Sequence, residues 1–250
     1  MKKHLLSAIF ALLVFFAAAV SASAASYNPI LARWSKEQKF QTIEGANLTI
    51  RATYYSAEFT EALVQSEADK NMWTKQEAED YKYNFLKALQ LDQYIPIQIK
   101  FVNNGPTMHA GPFDIMVKLR LGNKLYKPAD YDKRFNFGFV GEKEGLVYFP
   151  RYDEKTGKDL LKGVKTARLE FNSGVSTTLE GKTVTFLWDI ANDDPSKLYQ
   201  GKAAERFETD RLLKRLDKLR KDKAGLEAQM KTVNDEITTI QTRLDELSKK

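Results

Sequence analysis

Tyr94-Ile95-Pro96-Ile97-Gln98-Ile99-Lys100-Phe101 carries an apolar side chain at every second position from Ile95 to Phe101. Successive side chains of a strand point to opposite faces, so this period of two predicts a strand with one buried face. The same pattern extends on both sides. Leu48, Ile50, Ala52 and Tyr54 alternate with Thr49, Arg51 and Thr53. Asn103-Asn104-Gly105-Pro106 reads as a break. Phe113, Ile115, Val117, Leu119 and Leu121 then alternate up to a turn at Gly122-Asn123. Phe135, Phe137 and Phe139 form a further run, followed by Leu146 to Phe149, Val164 to Phe171 and Val184 to Trp188. About seven short strands separated by turn signals predict an antiparallel β-sandwich of immunoglobulin-like type.

Two segments interrupt the strand pattern. Residues 27–45 read as an entry helix, with Asn28 as N-cap, Pro29 in the first turn, and Ile30, Leu31 and Trp34 on one face. Between the strands, Ser56 is placed to cap a helix carrying Phe59, Leu63 and Val64. Thr74 and Glu77 have capping-box spacing, and Ala78, Tyr81, Phe85 and Leu89 share a face behind them. Residues 56–91 are therefore expected to be a helical insertion in a sandwich spanning 46–200, after a helical segment at 25–45.

The C-terminal segment changes period again. Leu212, Leu216, Leu219, Lys223, Leu226, Met230, Val233, Ile237, Ile240, Leu244 and Leu247 are spaced alternately four and three apart. Such a 3.5-residue repeat predicts a coiled coil over 203–250, with Leu216, Lys223, Met230, Ile237 and Leu244 at a and the others at d. Its narrow apolar seam requires a second helix, so a homo-oligomer or a coiled-coil partner is expected. In a parallel homodimer the flanking positions would bring Arg215 to Arg220 and Asp222 to Glu227, and both pairs repel. An antiparallel dimer, a trimer and a heteromeric partner remain open. Arg211, Lys214, Arg215, Lys218, Arg220 and Lys221, with Lys223, form a basic stripe opposed only by Asp217 and Asp222. Such a stripe suits an anionic envelope surface, and charged outer positions are also ordinary in coiled coils.

At the other end, Lys2 and Lys3 precede an apolar run from Leu5 to Val20, and Ala22-Ser23-Ala24 fits a signal-peptidase site. The expectation is a signal peptide at 1–24, cleaved near Ala24, giving an exported periplasmic or secreted protein without a transmembrane segment in its mature form. Of the 250 residues, 226 would remain, and the net charge of +6 would fall to +4 on loss of Lys2 and Lys3. That mild excess is not a nucleic-acid signature. The chain has no cysteine, which excludes disulfides, thiol catalysis and cysteine-ligated metals.

No catalytic or cofactor motif is present. His109 is the single histidine beyond the export signal, and neither G-x-S-x-G nor H-E-x-x-H occurs. Two acidic clusters contain oxygen ligands that suit Ca²⁺: Asp189, Asn192, Asp193 and Asp194, and Asp153, Glu154 and Asp159 around Gly157. Both also read as turn chemistry, and neither matches an EF-hand. Tyr126, Tyr131, Tyr148 and Tyr152 could line a carbohydrate-type face or serve as cross-strand packing. No metal and no cofactor is expected.

Leu31-Ala32-Arg33-Trp34 and Leu48-Thr49-Ile50-Arg51-Ala52-Thr53-Tyr54 resemble segments of uncharacterised exported bacterial proteins that carry a β-sandwich domain. The resemblance implies an envelope location and no known activity. The heptad tail departs from that pattern. The expected function is a non-enzymatic envelope protein with a structural or partner-binding role, associating through its coiled coil. A binding module or holdase chaperone with a basic stalk is the alternative, and a hydrolase using carboxylates such as Asp189 or Asp153 ranks last.

Overall fold

Among the described residues, nine strands form two antiparallel sheets, and a long helix follows them to Ser248. The structure is a computed structural model that describes residues 27–248, apart from the side chains of 203, 211 and 214. The expected signal peptide lies outside the described residues. The chain divides into two compact units, one ending at Gln200 and the other beginning at Gly201.

In the first unit, α1 (Asn28–Trp34) leads into β1 (Ser35–Gln41) and β2 (Asn47–Tyr54). The helices α2 (Ala57–Lys70) and α3 (Lys75–Leu89) follow, and then β3 (Tyr94–Met108). A single helical turn, α4 (Phe113–Met116), precedes β4 (Val117–Leu121), β5 (Lys124–Tyr126) and β6 (Asp130–Tyr131). The unit continues with β7 (Phe139–Pro150), β8 (Thr166–Phe171) and β9 (Val184–Asp189). The sheets run β1-β2-β3-β7-β6 and β5-β4-β8-β9. Ile50, Ile97, Ile99 and Phe101 are fully buried, as their alternation requires. Aromatic rings join the inner faces of the two sheets. Phe101 on β3 lies edge-on to Phe171 on β8 at 5.9 Å, and Tyr54 on β2 lies 5.7 Å from Trp188 on β9. The Trp188 indole N–H donates to the carbonyl of Trp34 at 2.8 Å, which satisfies the polar edge of a buried ring. At one corner, side chains of the edge strand β1 reach the edge strand β9. Lys36 Nζ donates to the carbonyl of Leu187, and Gln38 Nε2 to that of Thr185 at 2.6 Å.

The helical insertion forms where its caps predict. Ser56 Oγ accepts from the Phe59 N–H at 2.9 Å, and Thr74 and Glu77 complete the reciprocal capping box. Phe59, Leu63, Phe85 and Leu89 are buried, and Tyr55 meets Phe59 and Phe85 edge-on. Lys82 Nζ on α3 pairs with Glu61 Oε2 on α2 at 2.7 Å.

Four expectations need correction. The entry helix stops at Trp34, with Tyr27 as its N-cap and Asn28 already in its first turn. Ser35–Gln41 has no 3.6-residue apolar stripe to bury, and it takes its partners from β2 instead, from Ser35↔Thr53 to Gln41↔Asn47. The expected break at Asn103–Pro106 is a register shift inside β3. Asn103 Nδ2 donates to the carbonyls of Pro106 and Phe139 at 2.8 and 3.2 Å, bridging the irregularity. Phe113 begins a helical turn after Pro112 rather than a strand, and its ring stacks on Phe135 at 4.6 Å. The run at Phe135–Phe139 is a 3₁₀ turn at Lys133–Asn136, capped by Asp132, and β7 begins only at Phe139. Phe137 between them is 68% exposed.

Candidate functional site

The helix α5 (Lys202–Ser248) runs for 47 residues. It contains no proline, and its one glycine, Gly225, sits at an outer heptad position, so nothing in the sequence interrupts the ladder. Threonines along it donate their hydroxyls to carbonyls one turn back, as Thr232 does to Ala228 at 3.1 Å. The apolar residues at a and d fall on one stripe, and every one of them is exposed, from 43% at Leu216 to 65% at Met230. Burying a leucine-sized side chain is worth about 1.5–3 kcal/mol relative to leaving it in water. The stripe therefore holds most of the burial energy that the second unit has to offer. Lys223, the single charged residue of the seam, lies with its Nζ 3.6 Å from Glu227 Oε1 on the next turn. Its stem can pack while its ammonium stays hydrated. Arg215, Lys218, Arg220 and Lys221 are exposed around the first half of the helix.

The loop carboxylates do not converge. Asp189 Oδ1 accepts from the Ala191 N–H at 3.0 Å, and Asp194 Oδ1 from the N–H and hydroxyl of Ser196 at 3.1 and 2.6 Å. Asp193 turns away from both, and its Oδ1 accepts from the Ala57 N–H at 2.8 Å, at the start of α2. Asn192 is exposed beside them. In the second cluster, Asp153 Oδ1 accepts from the N–H groups of Lys155 and Thr156. Asp159 Oδ2 pairs with Arg151 at 3.1–3.2 Å, and its Oδ1 accepts from the Leu161 N–H. Among the described residues, no three histidines, aspartates or glutamates gather as a metal site would require. His109 is exposed in the loop after β3.

Burial raises the carboxyl of Glu144 and, among the loop carboxylates, that of Asp193. Burial pushes Asp193 up to about 6, opposed by the Ala57 N–H and the nearby Arg151. Its Oδ2 is buried, and the nearby Tyr54 hydroxyl and Arg151 both favour the charged form of the carboxyl. Arg151 was not singled out from the sequence. Its guanidinium ties the end of β7 to the carbonyl of Leu91 at 2.8 Å and to Asp159. A long, mostly buried arginine after Pro150 has no sequence mark to separate it from surface arginines. Beside it, Gln93, Tyr94, Ala129, Pro150, Tyr152 and Glu154 line a cavity of about 250 Å³. Of the four tyrosines considered as a binding face, only Tyr152 lines it. Tyr148 donates to the carbonyl of Ala88, Tyr131 packs on Phe113, and Tyr126 pairs with Leu119 across β4 and β5.

Comparison with protein-family models, with curated proteins and with solved structures found no match. Among the described residues, no helix is long and apolar enough to cross a membrane.

Proposed function

We propose that this chain is an exported, non-enzymatic envelope protein with a structural or partner-binding role, and that it associates through α5 as a coiled coil. In this reading the two-sheet unit is an immunoglobulin-like sandwich that serves as a rigid head. The observation that carries the proposal is the unbroken heptad stripe of α5, whose apolar side chains are all exposed. The non-enzymatic part is supported by Asp153, Asp159, Asp189, Asp193 and Asp194, each of which serves a turn, a helix start or an ion pair. Export is supported by the residues before Ala25. Sedimentation of the mature chain with and without 203–250 tests the association. An oligomer that becomes monomeric on truncation is expected, and monomers in both forms would refute it.

The exposed basic residues Arg215, Lys218, Arg220 and Lys221 favour a second role, contact of α5 with an anionic envelope surface. Co-sedimentation with anionic vesicles at low salt checks this. Binding should weaken as salt rises, and no binding at low salt removes the idea.

A further inference from the structure

We infer that the partner covering the α5 seam is a second copy of this chain, packed antiparallel and in one particular register. The inference rests on the association proposed above and adds to it the occupant, the orientation and the offset. The charges flanking the seam favour the arrangement with the most opposite-sign pairs. In a parallel pair Arg215 meets Arg220 and Asp222 meets Glu227, all like charges. Antiparallel helices instead bring g positions to g and e positions to e. If Leu212 is laid against Leu244 of the second copy, Arg215 falls beside Arg243, Asp222 beside Glu236 and Glu227 beside its own copy. That arrangement repels as well.

A slip of one heptad toward the start of the helix removes those repulsions, with Asp222 now beside the uncharged Gln229. Leu212 now packs on Ile237, Leu216 on Val233 and Leu219 on Met230, while Ile240, Leu244 and Leu247 face Thr209, Glu205 and Lys202. The flanks become Glu208 with Arg243, Arg215 with Glu236, and Arg220 with Glu227, all opposite in sign and each occurring twice by symmetry. The same operation brings Lys223 against Leu226 near the centre. Glu227, already 3.6 Å from Lys223 of its own helix, then lies between two cations. The two-fold arrangement is closed, because the same stripe is used by both copies. Complementary charge of this kind selects orientation and register more than it adds affinity.

The absence of cysteine from the chain makes the test clean, because an introduced thiol can pair only with another introduced thiol. Full-length Leu219→Cys and Met230→Cys variants are mixed and mildly oxidised. A disulfide is expected in the mixture and in neither variant alone. Self-linking of Leu219→Cys would overturn the orientation, and linking of Leu219→Cys to Ile237→Cys would overturn the register. A charge reversal supplies an independent sign. Arg220→Glu should weaken the dimer about ten-fold, and adding Glu227→Arg in the same chain should restore it. In a parallel pair Arg220→Glu would instead tighten the dimer, because Arg215 would gain an opposite charge. Sedimentation of the unmodified chain separates the two levels of failure. A monomer refutes association altogether, whereas a dimer lacking the mixed disulfide refutes only this arrangement.

Discussion

Phe101 on β3 and Leu226 on α5 occupy equivalent places, each near the middle of a regular apolar repeat. Yet Phe101 is fully buried and Leu226 is 62% exposed. The difference lies in what each repeat finds to cover it. A strand with one apolar face meets the opposite sheet within the same unit, and Phe101 closes on Phe135, Phe139 and Phe171. A heptad stripe on one long helix has no such neighbour in its own unit. The first unit spends its hydrophobic surface on folding, whereas the second leaves its stripe exposed, which is the surface the proposed association would use.

The sharpest way to break this contrast is truncation. Phe101→Ala should cost about 3–5 kcal/mol in urea unfolding of the two-sheet unit, because it leaves a cavity among three rings. Leu226→Ala should leave that transition unchanged within about 0.5 kcal/mol. Comparable losses would mean that the α5 stripe is covered within the chain. Next in size is Leu226→Asp, which places a carboxylate in the proposed seam. Association should weaken at least about 100-fold by sedimentation equilibrium, with the near-ultraviolet dichroism of the first unit unaltered.

A third measurement concerns Asp193, whose carboxyl is pushed up to about 6 by burial. Asp193 sits in the first unit at about 6 because burial penalises its charge, so the folded chain holds this proton more tightly than the unfolded chain does. Its contribution to stability is complete below its ordinary value of 3.8 and is lost as pH rises through about 6. Asp193→Asn keeps an acceptor for the Ala57 N–H and removes the titration. Relative to wild type, the variant should gain about 2 kcal/mol between pH 4.5 and 7.5. A constant difference would show that the carboxylate is not held in a desolvated setting. The smallest effect is expected at an exposed cap. Thr74→Ala should cost about 1 kcal/mol in thermal unfolding, because the Glu77 N–H and the start of α3 lose a partner.

Much of the first unit was legible because local chemistry and tertiary burial agree there. The Ser56 cap, the Thr74–Glu77 box and the alternation of Leu48–Tyr54 and Ile95–Phe101 each specify a conformation within a few residues. The strands that escaped notice are polar or very short. Ser35–Gln41 has Phe40 as its only large apolar residue, and β6 has two residues in all. Their pairing is dictated by an unfilled neighbouring edge, which no local pattern announces. Alternation misled at Phe113–Ile115 and Phe135–Phe137, where Phe113 and Phe135 stack on each other and leave Ile115 and Phe137 outside. The heptad stripe could be read residue by residue from the sequence. Arg151 could not, because its value comes from Leu91 and Asp159, which only the fold brings to it.

The corner at β1 and β9 has a consequence for how the sheets end. An outer strand normally offers a row of free carbonyls on which an extended peptide can template itself. Here Lys36 and Gln38 already occupy the carbonyls of Leu187 and Thr185. An invading strand would meet two of these acceptors already engaged. The two edge strands are thus joined at this rim by side chains that a sequence reader would class as ordinary surface residues.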